Sequence, residues 1–296
     1  FSGGYAYRFG EWTAGAELGY RAVIAYRDKD PRPRNIISDL QATLALSRNL
    51  SGKYNLGLAM QARKYNQKSE ITFLADKGST SVYQMLGLGM DYVRFAGTQT
   101  STRYTGEGIG GSVDLLPMSN DGENNGFSAS LRADYFHLTK ELSSTNYTPI
   151  NEIKNVDVSL ETAWTRCNRE WGYGVHLLAA LQQRTGVENI FGEPSGAIYP
   201  QISSVDQFKN TTLKAGLKGK IGQRLNGNRR WGWTLLPTAG YWQTKPEYKG
   251  NGRYVKMASA SGGLEAQSLW KASRMLLSAS LAGGYTTNVK ANYSLT

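Results

Sequence analysis

Very few side chains in this sequence could carry out nucleophilic or acid–base chemistry. The 296 residues include two histidines, His137 and His176, and one cysteine, Cys167. A catalytic nucleophile needs a base within hydrogen-bonding reach, and neither histidine lies in a recognisable catalytic motif. Asp134 precedes His137 by three places, so in a strand these two side chains would point to opposite faces. We therefore predict that the protein is not an enzyme and that Cys167 is a spectator thiol in a turn.

A glycine-rich stretch, "GEGIGG" from Gly106, resembles a phosphate-binding loop only superficially. Phosphate loops continue with a Lys-Ser pair and a helix, and neither follows here. The longer passage "TGEGIGGSVDLL" is typical of a strand where backbones approach closely or where the wall of a sheet bends. A single cysteine also excludes a disulfide scaffold and a Cys-rich metal site. We predict no metal and no cofactor.

Most of the chain alternates apolar and polar residues with a period of two. In "WTAGAELGYRAVIAY", from Trp12 to Tyr26, every second residue is apolar or aromatic, and Glu17 and Arg21 lie between them. No segment has a convincing period of 3.6, so we predict essentially no helix. No stretch approaches the roughly 18 unbroken apolar residues of a membrane helix, whereas a β-barrel spreads its apolar surface over alternate residues.

The predicted strands are long, and aromatic residues tend to lie near their ends. Most are about 9 to 16 residues long, against about 5 to 6 in soluble sheets. Short turns and longer loops must alternate in an up-and-down sheet, and a short strand from Ser69 to Ala75 restores that alternation. The sequence therefore predicts an all-β fold, a transmembrane antiparallel up-and-down β-barrel of about 14 strands. We expect one domain over residues 1–296, truncated at both ends.

A soluble β-sandwich or a lipocalin-like barrel would also show alternating strands. In those folds the apolar faces make a core and the charged faces lie outside. The strand lengths, the aromatic strand ends and the small residues on the polar face favour the membrane barrel instead. These small residues include Gly15, Gly19, Gly87 and Gly89.

The polar face of the predicted barrel would line its lumen. Opposite charges paired across neighbouring strands would form a network that fills a narrow barrel, whereas one sign in excess along a clear path would form a selective pore. Both alternatives stay open, and the basic residues give a slight preference for anionic solutes. The charged residues assigned to the lumen are Glu17, Arg21, Arg63, Asp91, Arg132, Asp134, Glu161, Lys214, Lys218 and Glu265.

Two connections stand out among the predicted loops. In "DPRPRN" the prolines fix φ, so Arg32 and Arg34 would be presented on a stiff tip. That tip could dock an acidic partner or a lipopolysaccharide phosphate, or it could simply be a rigid surface loop. The longest connection, from Gly186 to Ser204, contains apolar segments. It could fold into the lumen as a plug or contact another protein.

The formal net charge of +11 raises the question of an acidic partner. Nucleic-acid sites gather basic residues on one face or segment, but here Lys and Arg are scattered through strands and turns. We predict no nucleic-acid binding. Anionic lipid headgroups and acidic ligands are better partners for such a charge.

Two passages resemble an uncharacterised family of Bacteroidota outer-membrane β-barrel proteins. They are "EWTAGAELGYRAVIAYRDKDPRPRN" and "LGLGMDYVRFAG". The resemblance implies an outer-membrane location and a barrel, without a substrate. We therefore expect a channel, or the membrane-embedded accessory subunit of a nutrient-uptake complex. The expected partners are outer-membrane lipid and lipopolysaccharide, together with a TonB-dependent transporter or a surface lipoprotein by analogy. The alternative is a closed-lumen structural barrel that anchors a surface assembly.

Overall fold

The computed structural model describes residues 1–74, 81–97, 101–118, 125–196, 198–225, 229–273 and 275–295. These residues form fourteen strands, of which twelve make one antiparallel sheet that follows the order of the chain. The strands of this sheet are β1 (Ser2–Phe9), β2 (Trp12–Tyr26), β3 (Arg32–Leu50), β4 (Tyr54–Thr72), β7 (Ser101–Pro117), β8 (Gly126–Leu142), β9 (Thr148–Cys167), β10 (Trp171–Phe191), β11 (Gln201–Gln223), β12 (Trp231–Tyr248), β13 (Arg253–Ala272) and β14 (Met275–Ser294).

Two short strands, β5 (Met85–Gly87) and β6 (Met90–Asp91), form a separate two-stranded sheet between β4 and β7. Single turns of 3-10 helix span Val93–Phe95, Ser143–Thr145 and Lys249–Asn251. Among the described residues, no helix is long and apolar enough to cross a membrane.

The predicted all-β, antiparallel, up-and-down architecture is confirmed, but among the described residues the sheet is not closed, since β1 and β14 do not pair with each other. Apart from β1, the strands of the large sheet are 15 to 23 residues long, longer than expected from the sequence. Each strand pairs with its neighbour in the chain, except that β4 pairs with β7 across the small sheet. Strands β1 and β14 are the two edges of the sheet.

The register gives the sheet one apolar outer face and one polar inner face, because successive side chains alternate and directly opposed residues share a face. Tyr20 lies opposite Leu40, while their neighbours Arg21 and Asp39 face each other on the other side. The outer leucines are strongly exposed, for example Leu44 at 67% of its surface. An outer face of this kind is suited to lipid.

Aromatic residues border this apolar outer face along the strands. On β2 they are Trp12 and Tyr20, and on β8 they are Phe127 and Tyr135. Each pair is separated by eight positions, close to the roughly 9 to 11 residues with which a tilted strand crosses the hydrocarbon layer. Beyond Tyr135 the outer face carries ion pairs instead. The wall therefore projects past the membrane at the end that bears the longer loops. The ion pairs are Lys64–Glu107, Arg103–Glu141, His137–Glu152 and Lys245–Glu247.

The sheet is strongly curved. Seven strand-to-strand steps separate β4 from β13, which would be about 34 Å in a flat sheet. Nevertheless, the segment that follows β4 reaches β13, where the guanidinium of Arg253 donates a 3.3 Å hydrogen bond to the carbonyl of Leu88. Residues 82–97 of that segment are folded rather than extended, which indicates that the wall bends around them.

Two predicted strand assignments are wrong. The first is the short strand Ser69–Ala75. Its residues from Ser69 to Thr72 belong to β4, which continues through them without a break, and Ala75 lies outside the described residues. Gly87 and Gly89 do not lie on the polar face of a wall strand. They have φ angles of 121° and 77°, and Leu88 between them has 48°, so they form the tight turn of the β5–β6 hairpin.

The predicted glycine-rich strand lies within β7, but its inner-face glycines make room mainly for neighbouring side chains and not for a neighbouring backbone. Gly106, Gly108 and Gly110 lie on the inner face of β7, opposite Leu138, Phe136 and Asp134. A Cβ atom on Gly106 would lie 2.6 Å from the ring of Phe136. Glycine therefore makes room for the large inner side chains of β8.

Candidate functional site: the inserted segment and the lumenal pocket

Residues 82–97, called here the inserted segment, form a compact unit between β4 and β7. Its ends are joined by two backbone hydrogen bonds between Val82 and Gly97, of 2.6 and 3.1 Å. Inside it, the amide of Tyr92 donates to the carbonyl of Gln84 at 2.9 Å. The segment therefore has its own local structure, within which the β5–β6 hairpin points to the far side of the lumen.

Side chains of the inserted segment bind the ends of distant strands. The Tyr92 hydroxyl donates a hydrogen bond to the carbonyl of Asn189 near the end of β10. The Arg94 guanidinium donates to the carbonyls of Phe191 and Gly192, each at 2.6 Å. These bonds hold the segment against the connection between β10 and β11.

A small apolar cluster supports these hydrogen bonds. Phe95 is 1% exposed and makes edge-to-face contacts with Tyr92, Phe191 and Tyr199. The other members of the cluster lie at the connection between β8 and β9. Burying several aromatic side chains is a sizeable stabilisation for so short a segment, since each removes a large apolar area from water. The buried members are Tyr92, Phe95, Leu142, Ile150 and Phe191.

A cavity of about 380 Å³, called here the lumenal pocket, lies between the β5–β6 hairpin and the inner wall. Its volume is within the range of small-molecule sites, roughly 300 to 1,000 Å³. Most of the lining surface is apolar and aromatic. The apolar walls come from Leu86 of the hairpin and from Tyr104, Leu138, Ile153, Val187 and Phe208 of the sheet.

Two cationic side chains line this largely apolar pocket. Lys140 lies on β8, five positions past Tyr135 and so beyond the apolar band, and Arg184 lies on β10. Neither has a carboxylate within 4.0 Å among the described residues, and the ammonium of Lys140 lies 5.9 Å from the ring centre of Tyr104. Burial lowers the pKa of Lys140 below its usual value.

Two acidic residues, Glu152 and Glu188, also line the pocket. The Tyr248 hydroxyl donates a 2.8 Å hydrogen bond to Glu188. Burial and the adjacent carboxylate raise the pKa of Tyr248, which lies at the very end of β12. Glu188 and Lys140 both lie opposite Asn151, so they are two strands apart, about 10 Å. The carboxylate and the ammonium do not pair within 4.0 Å, and both line the pocket.

Below the pocket, charged side chains pair across the inner wall. Asp39 accepts hydrogen bonds from Arg63 at 2.7 and 2.9 Å and from Arg21 at 3.1 Å. The Arg63 guanidinium also lies 5.0 Å from the ring centre of Phe136. The two arginines are thereby fixed against the wall by one carboxylate.

The register places nine of the ten charged residues assigned to the lumen on the inner face of the large sheet. On β8, Arg132 and Asp134 pair with each other. Asp91 is different because it lies on β6, within the inserted segment and outside the wall. The nine are Glu17, Arg21, Arg63, Arg132, Asp134, Glu161, Lys214, Lys218 and Glu265.

Arg32 and Arg34 are not on a loop tip, because β3 begins at Arg32 and the loop before it is only residues 27–31. Arg32 donates a 3.0 Å hydrogen bond to Asp30. Arg34 lies in the sheet between Tyr26 and Glu70. The long Gly186–Ser204 connection is shorter than predicted, since β10 extends to Phe191 and β11 begins at Gln201. Ala197 within it lies outside the described residues.

The histidines do not come together. His137 is on the outer face of β8 and accepts or donates a 2.9 Å hydrogen bond with Glu152. His176 is on the inner face of β10, with Glu161 at 3.9 Å. Within the described ranges, no group of three His, Cys, Asp or Glu side chains could hold a metal ion.

Sequence reasoning missed the lumenal pocket. Lys140 has the same strand parity as Asp134, so the period of two already placed it on the inner face. The cause of the omission is the mistaken strand assignment of Gly87 and Gly89, which left the inserted segment in the wall. The "LGLG" pattern, with glycines that permit positive φ, was the available signal for a turn.

These features define a class of protein: a transmembrane β-barrel with an apolar outer band, a charged inner face and a segment folded across one end of the lumen. The chain belongs to the family described as "Family of unknown function (DUF6850)", whose model matches residues 1–296. No curated protein matches it.

Two solved structures are similar to the chain. The crystal structure of the Ralstonia pickettii toluene transporter TbuX is 11% identical, with 97% of this chain and 80% of that chain covered and a TM-score of 0.33. The Pseudomonas putida toluene transporter TodX is 13% identical, with 97% and 81% covered and a TM-score of 0.35.

Proposed function

We propose that the protein is an outer-membrane channel for small solutes and that the inserted segment closes the outer end of its lumen. The observation that carries this proposal is the inserted segment itself. It has its own local structure, and it is attached to distant strands by a limited set of side-chain contacts. A segment of this kind could be released without breaking the wall.

The charge distribution on the inner face supports selectivity for anionic solutes. The acidic group of Asp39 is already engaged by two arginines. Lys214 and Lys218 of β11 have no carboxylate within 4.0 Å among the described residues. Rings and rows of unpaired basic side chains favour anions in pores.

Planar-bilayer recording tests this function. The wild-type protein is compared with a variant in which residues 82–97 are replaced by a short Gly-Ser linker. We expect rare or small conductance steps in the wild type and stable open steps in the variant. Retention of heat-modifiable migration on SDS gels would show that the variant is still folded. If the wild type and the variant are both folded and neither conducts, the channel function is wrong and a closed structural barrel is favoured.

A second candidate function is that of a membrane-embedded accessory subunit. Apolar side chains are exposed at the long-loop end, and exposed patches of this kind often mark protein contacts. The candidate partners are a TonB-dependent transporter or a surface lipoprotein. The exposed residues are Tyr83, Val93, Ile198 and Ile202.

Native purification in mild detergent, followed by mass spectrometry, tests the accessory role. A stoichiometric transporter or lipoprotein that is lost in a Val93→Ser/Ile202→Ser variant would support it. A lone protein, or a partner that is unaffected by these substitutions, would count against this surface.

A further inference from the structure

We propose that the lumenal pocket is a binding site for an amphiphilic monoanion, whose apolar body fills the pocket and whose carboxylate binds Lys140. The proposal deepens the proposed function, because it names the class of solute that the channel would admit. The binding site rests on the proposed function only in one respect, namely that the ligand reaches the pocket through the channel.

The first support is the chemistry of the walls. Leu138, Ile153 and Phe208 form an apolar surface against the inner strands, and the aromatic ring of Tyr104 adds to it. The roof is formed by Leu86 and the neighbouring residues of the β5–β6 hairpin. A fully polar solute such as a sugar would leave its hydroxyls unpaired against these walls, at a cost in binding free energy. A flat or extended apolar ligand would fill the pocket without this cost.

The second support is the position of the charges. An ammonium that is partly removed from water and lacks a carboxylate partner is unfavourable, and an anionic ligand would relieve that cost. Lys140 is in this situation, and its ammonium lies 5.9 Å from the ring centre of Tyr104. The two acidic residues of the lining, Glu188 and Glu152, are each engaged in a hydrogen bond, whereas Lys140 and the exposed Arg184 have no carboxylate within 4.0 Å among the described residues. They favour a carboxylate over an amine.

The third support is the geometry of the pocket floor. Asn151 of β9 lies between Lys140 of β8 and Glu188 of β10 in the register. A carboxylate on Lys140 would also lie within reach of the amide of Asn151, which can donate. The same carboxylate would be kept away from Glu188 by the width of a strand. The site therefore has one side that suits an anion.

Equilibrium binding of 2-naphthoate tests the proposal. This probe is water-soluble and fluorescent, and it combines a flat apolar body with one carboxylate. The full-length protein is held in lipid nanodiscs, and empty nanodiscs are subtracted to remove partition into lipid. We expect saturable binding, with affinity lowered about 10- to 100-fold by Lys140→Met, since charge-assisted hydrogen bonds are strong when partly buried. Lys140→Arg should retain most of the affinity.

Two controls make the result specific. Lys220→Met removes an inner-face lysine that does not line the pocket, and it should leave the affinity unchanged. The uncharged analogue 2-naphthamide should bind weakly, and Lys140→Met should not change its affinity. Equal binding of 2-naphthoate to wild type and Lys140→Met would overturn the proposal. Tighter binding of 2-naphthylmethylammonium than of 2-naphthoate, or an absence of saturable binding, would overturn it too.

Binding is measured here without any current, so the two proposals can fail separately. If the protein binds 2-naphthoate through Lys140 but never conducts, the proposed binding site stands and the proposed channel function is wrong. If the protein conducts but does not bind the probe, the proposed channel function stands and the proposed binding site is wrong.

Discussion

The hydroxyl of Tyr92 donates a hydrogen bond to the backbone carbonyl of Asn189, which lies 97 positions further along the chain. This bond joins the inserted segment to the end of β10. Because Asn189 itself is fully buried, water cannot easily replace the lost partner. The contact is therefore a suitable point at which to weaken the closed state without touching the wall.

Replacing Tyr92 with Phe should open the channel more often. The change leaves the aromatic ring in the apolar cluster but removes the donor to the buried carbonyl of Asn189. Loss of one such bond costs about 1 to 3 kcal/mol, which corresponds to a roughly 5- to 150-fold increase in the ratio of open to closed states. Single-channel recording measures this ratio as the open probability.

Tyr83→Phe is the matched control for this substitution. Tyr83 belongs to the same segment but is 61% exposed, so its hydroxyl can bond to water. Its replacement should leave the open probability unchanged. If both variants behave alike, the Tyr92 bond is not what holds the segment.

The closed state should also weaken at alkaline pH. Burial raises the pKa of Tyr92 above its usual value of 10.0. A raised pKa in the closed state means that the neutral phenol is favoured there, so its contribution to stability is complete below the usual pKa and is lost as the pH rises through the raised one. Open probability should therefore be constant from about pH 7 to 9 and increase above about pH 10.

The double variant Tyr92→Phe/Tyr248→Phe checks the origin of this pH effect. Burial also raises the pKa of Tyr248, so both phenols would contribute to the alkaline response. Their removal should raise the open probability at neutral pH and flatten its pH dependence. An undiminished alkaline increase in the double variant would assign the effect to other groups.

Gly106→Ala should destabilise the barrel, whereas Gly19→Ala should not. The added methyl of residue 106 would lie 2.6 Å from Phe136 and 3.0 Å from Leu138, so one of these side chains must move. At Gly19 the nearest atom would be 4.0 Å away. Overpacking typically costs about 1 to 3 kcal/mol. The midpoint temperature of heat-modifiable migration on SDS gels compares the two, and equal midpoints would contradict the packing argument.

The wall could be predicted from the sequence because strand parity is a local property. Each of Glu17, Arg21 and Arg132 needs only its immediate neighbours to be assigned to the polar face. The antiparallel order of the sheet then follows from strand length and turn spacing, but the sequence predicts about 14 strands in the wall where the structure describes twelve and a separate pair. Strand parity alone does not show whether a segment belongs to the wall of the barrel. For this reason Asp91 was predicted to lie in the wall, although it lies on β6.

The pocket could not be predicted because it depends on contacts between residues far apart in the chain. Gly87 packs against Phe208, and the carbonyl of Leu88 accepts from Arg253. These pairs are brought together only by the curvature of the whole sheet. The prediction of a loop tip at Arg32 and Arg34 was wrong for a different reason: the prolines were taken as a sign of a loop, but the start of a strand also tolerates proline, and Pro33 is the second residue of β3.

Asp39→Asn should increase the preference of the open lumen for anions. Asp39 is the carboxylate shared by Arg21 and Arg63, and an amide would not neutralise their charge. The Arg63 guanidinium would stay against the Phe136 ring and keep its position on the inner face. The substitution is made in the variant that lacks residues 82–97, so that current can be measured. The reversal potential in a salt gradient should shift in the direction of anion permeability.

Glu11→Gln is the control for this change in selectivity. It also removes one negative charge, but Glu11 lies in the turn between β1 and β2 and pairs with Arg48 at 3.7 Å. Its side chain is 69% exposed and lies away from the inner face. The reversal potential should therefore stay at the value of the parent variant. A shift of equal size in both variants would mean that total charge, and not the lumenal position of Asp39, sets the selectivity.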